Sequence, residues 1–306
     1  MKKIVLTGAT SMLGVALINE CIKKNIEVIA FVRPNSKKKI RLPNSPLIHI
    51  IYSELNDLEN LKFENCDCDV FYHFGWTGTD KQKRNDVEEQ MRNIKYTLDA
   101  VRLAKRMGCH TFVGAGSQAE YGRVMGAISP NTPTNPEISY GIAKYAAGKL
   151  SSNLCNELGI KHIWTRIFSV YGPHDNDETM IMYCINQLLS AKKPYLTKCE
   201  QIWDFLYCDD AARAFYFIGE KGQDQSLYCI GSGKSRPLKE FIEIIRESID
   251  ETLPIGLGEL PYSLNQVMNL SPDITNLTED TGFYPMIDFE EGIRKTISWY
   301  KEGELK

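Results

Sequence analysis

Ile4-Val-Leu6 runs into Thr7-Gly-Ala-Thr-Ser-Met-Leu-Gly14, and a helical pattern over residues 12–24 comes immediately after. This strand, glycine turn and helix constrain the fold more than any other feature. A short apolar strand that turns directly into a helix must be covered by that helix and paired with a parallel neighbour. Residues 28–32 supply a second buried run, and 47–51, 69–74, 111–114 and 162–168 continue the series. Helical stretches lie between them, notably 87–107 and 140–158. Strand–helix alternation with right-handed crossovers predicts an α/β fold, a doubly wound parallel sheet with helices on both faces.

The rhythm changes after Tyr171-Gly-Pro173. Strand patterns become sparse, and Pro194, Pro254, Pro261, Pro272 and Pro285 punctuate the rest of the chain. A smaller, mixed α/β C-terminal region is expected. Residues 1–170 would bind the nucleotide, with 171–204 and 232–306 serving the substrate. A segment near 205–231, including 211–219 and 227–230, would return to the main sheet.

The chain has 306 residues and a net charge of −3, which favours neither nucleic acid nor an anionic membrane as partner. No apolar run approaches the about 20 residues of a membrane span. The apolar start ends at Leu6, too soon for a secretory signal. Nine cysteines show no C-x-x-C pair, and five histidines show no ligand spacing. Reduced thiols, no metal and a cytoplasmic location are the expectations.

The glycine turn is suited to a dinucleotide. Gly8 permits the tight turn, and Gly14 allows helix and strand to pack closely. The helix N-terminus offers N–H groups to a pyrophosphate, and Ser11, standing where a middle glycine is usual, still allows approach. NAD sites place an acidic residue at the end of the second strand. Here that place reads Phe31-Val-Arg-Pro-Asn-Ser-Lys-Lys-Lys39, with no acid between Ile29 and Ile40. Arg33 with Ser36 or Lys37 suits a ribose 2′-phosphate, which favours NADP(H), with NAD as the alternative.

Ser117 stands at the carboxyl tip of a buried strand, where ligands of open α/β sheets bind. Tyr140 and Lys144 follow in Ser139-Tyr-Gly-Ile-Ala-Lys144, one helical turn apart and so on one face. A lysine cation beside a phenol favours phenolate, making Tyr140 a proton donor or acceptor. Ser117 would hydrogen-bond the substrate carbonyl that Tyr140 protonates.

Across nearly its whole length the chain resembles the extended short-chain dehydrogenases/reductases, of the nucleotide-sugar epimerase/dehydratase/reductase group, with their Rossmann-type sheet. The motifs are Thr7 to Gly14, Asp69-Val-Phe-Tyr-His-Phe-Gly75, Asn93 with Thr97, Ser117 with Tyr121-Gly122, Tyr140 to Lys144, Arg166 to Pro173, and Gln201-x-x-Asp204-Phe205 with Asp209. Asp273, Gly282-Phe-Tyr-Pro285, Gly292 and Trp299-Tyr300 close the series. The stretch 199–218 is similar to the CDP-abequose synthase type of sugar 4-ketoreductase. The resemblance implies that Gly8, Ser11, Met12 and Gly14 hold the pyrophosphate, that Phe74, Gly75 and Trp76 line the cofactor cleft, and that Thr7 and Phe168 also bind the cofactor. It implies that Asn93 supports the helix carrying Lys144 and that Lys144 also binds the nicotinamide ribose. Ser117, Gln118, Tyr140, Ser169 and Trp203 would face the substrate. Helices 87–107 and 140–158 match those that pair in family homodimers.

Departures from the family pattern narrow the reaction. Sugar 4,6-dehydratases carry Asp-Glu after the Ser/Thr, and Gln118-Ala119 stands here. Epimerase-reductases add a cysteine at the place of Ala119 and a later histidine, and none occurs between His174 and Asp204. Hydride transfer at one carbon remains: reduction of a nucleotide-activated 4-keto-6-deoxy sugar, or 4-epimerisation on retained NAD. A non-catalytic NADP sensor is a third reading, but such proteins tend to lose the tyrosine–lysine pair. Two places where relatives carry a diphosphate-gripping arginine hold Trp203 and residues 263–266. Lys198, Lys234 and Arg236 are the substitutes the sequence offers.

Overall fold

Seven parallel strands form the main sheet of the computed structural model, which describes residues 1–63 and 66–304. The chain enters as β1 (Lys3–Thr7), crosses through α1 (Met12–Lys23) to β2 (Glu27–Val32) and reaches β3 (Ile48–Tyr52). It returns to β4 (Val70–His73) on the other side of β1, then passes through α2 (Val87–Arg106) to β5 (Thr111–Ser117). The short β6 (Ala127–Ile128) precedes α3 (Ser139–Leu158) and β7 (Lys161–Ile167). After β8 (Ser169–Tyr171), α4 (Met180–Leu189), β9 (Ile202–Trp203) and β10 (Phe205–Tyr207), α5 (Cys208–Lys221) leads to β11 (Ser226–Ile230). Then come β12 (Arg236–Pro237), α6 (Leu238–Glu247), β13 (Asn269–Pro272), α7 (Thr275–Thr281) and α8 (Phe289–Glu304).

Strand order is β11-β7-β5-β4-β1-β2-β3, so the winding reverses between β1 and β4. Val5 pairs with Ile29 on one side and Phe71 on the other, which leaves β1 central and buried on both faces. The crevice outside the carboxyl ends at this reversal is where such sheets bind ligands. The fold is thus the Rossmann-type sheet expected.

Helices α1 and α5 pack together on one face of the sheet, and α2 and α3 on the other. Each face has its own core. Leu17, Ile18 and Phe215 fill the first, and Phe71, Val101, Leu103 and Phe112 the second. Glycine ends α3: Gly159 takes a left-handed φ of 66° and caps the last carbonyls. Seven of the nine cysteines are buried in these two cores, and Cys229 in a smaller cluster with Tyr121 and Phe168. Among the described residues no helix is long and apolar enough to cross a membrane.

Residues 205–231 hold β10, α5 and β11. Residues 227–230 lie in β11, the edge strand beside β7. Residues 211–219 are not sheet but the middle of α5, whose apolar stripe covers the sheet face against α1. The second half of the chain builds two small sheets. β8 pairs with β10, and β12-β9-β13-β6 forms a mixed four-stranded sheet. β6 joins it from the first half of the chain, with Ala127 opposite Ser271.

Candidate active site

The turn after β1 presses against the end of β4. A Cβ on Gly8, whose φ is +71°, would lie 2.7 Å from the Phe74 carbonyl carbon. A Cβ on Gly14 would lie 2.4 Å from the Gly8 carbonyl oxygen. Only glycine allows this approach at either place. Ser11 caps α1: its Oγ accepts from the Gly14 N–H at 3.0 Å and donates to the Gly8 carbonyl at 2.8 Å. Thr7 Oγ1 accepts from the Gly75 N–H at 3.1 Å and pairs with His73 Nδ1 at 2.9 Å.

Two cavities meet at this turn, sharing Ser11, Phe74, Trp76 and Thr79. The smaller, about 440 Å³, is lined by Thr7, Gly8, Thr10, Ser11, Arg33 and Lys38. The larger, about 760 Å³, holds Ser117, Tyr140 and Lys144 on one wall. The residues present suit a dinucleotide: the N-terminus of α1 would take its phosphates, Arg33 and Lys38 its adenosine end, and Tyr140 and Lys144 its nicotinamide end.

Most cofactor residues named from the sequence stand on these walls. Gly75, Trp76 and Phe168 line them as expected. Four do not. Met12 packs against the main core and Gly14 is buried behind the turn, so neither stands on a cavity wall. Ser36 lies off the cavity, its hydroxyl buried without a hydrogen-bond partner, because the chain turns into a 3₁₀ segment (Lys37–Arg41) that brings Lys38 to the wall instead. Asn93 does not support α3. Its Oδ1 accepts from the Thr77 N–H at 2.8 Å and its Nδ2 donates to the Thr77 carbonyl at 3.0 Å, clamping the strand exit that carries Gly75 and Trp76.

Ser117, Tyr140 and Lys144 converge on the larger cavity. Ser117 ends β5 and starts a 3₁₀ turn (Gln118–Glu120), with its Oγ accepting from the Ala119 N–H at 3.2 Å. Its own N–H donates to Glu120 Oε1 at 2.8 Å, completing a capping box. Glu120 is wholly buried and also accepts from Arg166 Nε at 2.8 Å and from the Trp164 indole at 3.1 Å. This buried ion pair sits directly beneath the serine. A Cβ on Gly116 would lie 2.3 Å from Glu120 Oε1, so the glycine leaves room for the carboxylate.

Lys144 is buried, donates to the Ala115 carbonyl at 2.5 Å, and lies 3.7 Å from the Trp76 ring centroid. Burial pushes its ammonium down to about 7; Glu120 opposes that fall and Arg84 adds to it. From the sequence, Lys144 was expected to lower the Tyr140 phenol. In the structure the phenol is instead raised by burial, and the opposing influences are the Arg84 charge first and a hydrogen bond with Ser117 second.

Gln118, Ser169 and Trp203 all line the larger cavity. Trp203 Nε1 donates to Ser169 Oγ at 2.8 Å, which fixes both on that wall. Lys198, Lys234 and Arg236 do not line it. Arg236 turns away to pair with Glu290 and to cover Phe241. The cations that do line the larger cavity are Arg84 and Lys144. Sequence reading missed Arg84, which lies in a polar loop without periodic pattern. It also missed Asp175, whose carboxyl burial pushes up to about 6 on the opposite wall. Asp204 serves structure, accepting from Ser232 and Lys234 to hold the 231–234 loop.

The model of the NAD dependent epimerase/dehydratase family matches residues 4–231. CDP-abequose synthase of Salmonella muenchen is 26% identical over 305 residues, covering 97% of each chain. The dTDP-4-dehydro-6-deoxyglucose reductase of Escherichia coli is 24% identical, covering 96% of each. Among solved structures, the UDP-glucose 4-epimerase of Thermotoga maritima with UDP-glucose superposes with a TM-score of 0.86 at 20% identity, covering 99% of each chain.

Proposed function

This chain belongs to the NAD-dependent epimerase/dehydratase family, an enzyme of the NAD(P)-dependent short-chain dehydrogenase/reductase type, and from that premise we propose that it reduces the 4-keto group of a nucleotide-activated 4-keto-6-deoxy sugar with NADPH. The observation that carries this reading is the meeting of Ser117, Tyr140 and Lys144 on one cavity wall beside the dinucleotide turn. A bound nicotinamide would supply the hydride. Ser117 would orient the carbonyl, and Tyr140 would give its proton to the oxygen as the C=O bond becomes C–O–H. Lys144 would hold the ribose. Gln118 and Ala119 stand where a dehydratase carries its Asp-Glu pair, which speaks against dehydration. The names of two relatives, a CDP-abequose synthase and a 4-dehydro-6-deoxyglucose reductase, support a nucleotide 4-keto sugar as substrate.

The test is incubation with NADPH and a panel of UDP-, dTDP-, CDP- and GDP-4-keto-6-deoxyhexoses, following loss of reduced nicotinamide and identifying products by NMR. NAD that co-purifies and survives dialysis would favour 4-epimerisation instead.

Arg33 and Lys38 on the adenosine-end wall, with no carboxylate among the cavity's β2-end residues, support NADP(H) over NAD. Arg33→Ala is expected to weaken NADPH binding by about 10- to 100-fold, the worth of a hydrogen bond to a charged group, and to leave NADH unchanged. Titrating both cofactors by fluorescence checks this; equal losses would remove Arg33 as the reader of the 2′-phosphate.

A homodimer through α2 and α3 is also proposed. Val87 and Met91 on α2 are 56% and 58% exposed, and Ile142 and Leu150 on α3 are 52% and 45% exposed. Each pair recurs at helical spacing on one stripe, an apolar surface that suits a second copy. Met91→Glu with Leu150→Glu should turn a dimer into a monomer in sedimentation equilibrium. A wild-type protein that already sediments as a monomer would refute the dimer.

A further inference from the structure

Arg84 lies in the loop between β4 and α2, yet it is built into the active-site wall. Its carbonyl accepts from the Tyr140 N–H at 2.9 Å. The next residue holds the same helix start: Asn85 Oδ1 accepts from the Ser139 N–H at 3.2 Å, and its carbonyl from Ser139 Oγ at 3.4 Å. Gln90 of α2 ties down the loop from the other side, donating to the Lys83 carbonyl at 3.1 Å. So pinned, the loop lays the Arg84 guanidinium over the Tyr140 ring, 4.4 Å from its centroid. The Arg84 Nε is buried and has no hydrogen-bond partner, and among the described residues no carboxylate forms an ion pair with this side chain. Arg84 as a whole is half-buried, but a buried donor without a partner is costly, so the placement of this Nε calls for a role.

We infer that Arg84 is a positioning residue for Tyr140, holding its ring by stacking and supplying the positive charge beside the oxygen that turns into phenolate when the proton leaves. The inference rests on the reading of Tyr140 as proton donor. As hydride reaches the carbonyl carbon, the C=O π pair moves to oxygen, the tyrosine O–H bond breaks, and the proton passes to that oxygen. Negative charge is left on the phenol, under the guanidinium. A cation over an aromatic face within about 6 Å attracts that charge. Lys144 lies farther off, 5.7 Å from the ring centroid and bonded to Ala115. The other titratable groups of the site are Glu120 under the β5 turn, His73 at the end of β4, and Asp175 and Glu178 on the cavity lining. His73 is kept neutral, its ring pushed down to about 3 by burial and then by Lys144. Glu120 opposes phenolate, and the Arg84 charge favours it first, with the Ser117 hydrogen bond second.

The experiment labels tyrosine with carbon-13 at Cζ and follows the Tyr140 resonance, identified by its loss in Tyr140→Phe, through an alkaline titration of the ligand-free protein. Arg84→Gln should raise the Tyr140 midpoint by about 1–3 pH units, the usual effect of losing a close opposite charge. Arg84→Lys, which keeps the charge but not the planar stack, should give an intermediate midpoint. With active enzyme, the alkaline limb of kcat/KM should move the same way. An unmoved midpoint in both variants, with folding intact by circular dichroism, overturns the inference. So does a loss confined to KM, which would make Arg84 a ligand for the substrate's phosphates. The titration needs no substrate, so failure of every sugar in the panel would sink the proposed function and leave this result standing.

Discussion

Tyr140→Phe is expected to lower kcat by about 10²–10⁴-fold, the usual contribution of one positioned proton donor, while leaving NADPH affinity unchanged. The two effects separate because the hydroxyl acts when the carbonyl oxygen gains charge, whereas the ring does the packing. The Tyr140 ring stands edge-on to Trp76, with centroids 6.1 Å apart, and flat under Arg84; phenylalanine keeps both contacts. The cofactor turn at Gly8 and Ser11 is untouched. An interaction made only in the transition state lowers kcat and kcat/KM together when removed. Isothermal titration with NADPH beside steady-state kinetics measures both. Equal losses of binding and turnover would mean that Tyr140 holds cofactor rather than moves a proton.

The second large effect lies one layer beneath the chemistry. Glu120→Ala should cost about 3–5 kcal/mol of folding stability, because it strands a buried guanidinium. Arg166 is 3% exposed, with its Nε on the Glu120 carboxylate and its guanidinium stacked 4.2 Å above the Tyr121 ring. Removing the carboxylate also frees the Ser117 N–H and the Trp164 indole. A double variant, Glu120→Ala with Arg166→Met, should recover much of the loss, since it removes both charges from the interior. Denaturant unfolding of the three proteins provides the comparison. A single variant that loses no more than a surface substitution would show that the pair is not a structural element of the site.

The main sheet was readable because its strands are apolar runs bounded by turns, and each is long enough to show its period. The strands that shape the substrate side were not. β6, β9 and β12 are two residues each, and a pair of residues carries no period. β6 meets β13 only through a contact between residues far apart in the sequence, which local pattern does not encode. The chemistry divides in the same way. Ser117, Tyr140 and Lys144 were visible because their spacing follows from a strand tip and one helical turn. Glu120 stands next to Tyr121 in the sequence, but its partner Arg166 is on another strand, and only the β5–β7 pairing brings them together. Arg84 stood in a run of charged loop residues, and nothing in that run distinguishes it from Lys81 or Lys83. The tyrosine–lysine spacing was legible, but its electrostatics were not. They depend on burial and on a loop cation that only the folded chain supplies.

The most direct measurement uses NADPH carrying deuterium on the transferable C4 position, incubated with the nucleotide 4-keto-6-deoxyhexoses and analysed by NMR. The account predicts deuterium at C4 of the sugar product, with NADP⁺ formed in equal amount and none of it retained by the protein after dialysis. A protein that interconverts C4 epimers on tightly held NAD, with no net oxidation of added NADPH and no deuterium on the sugar, would contradict it.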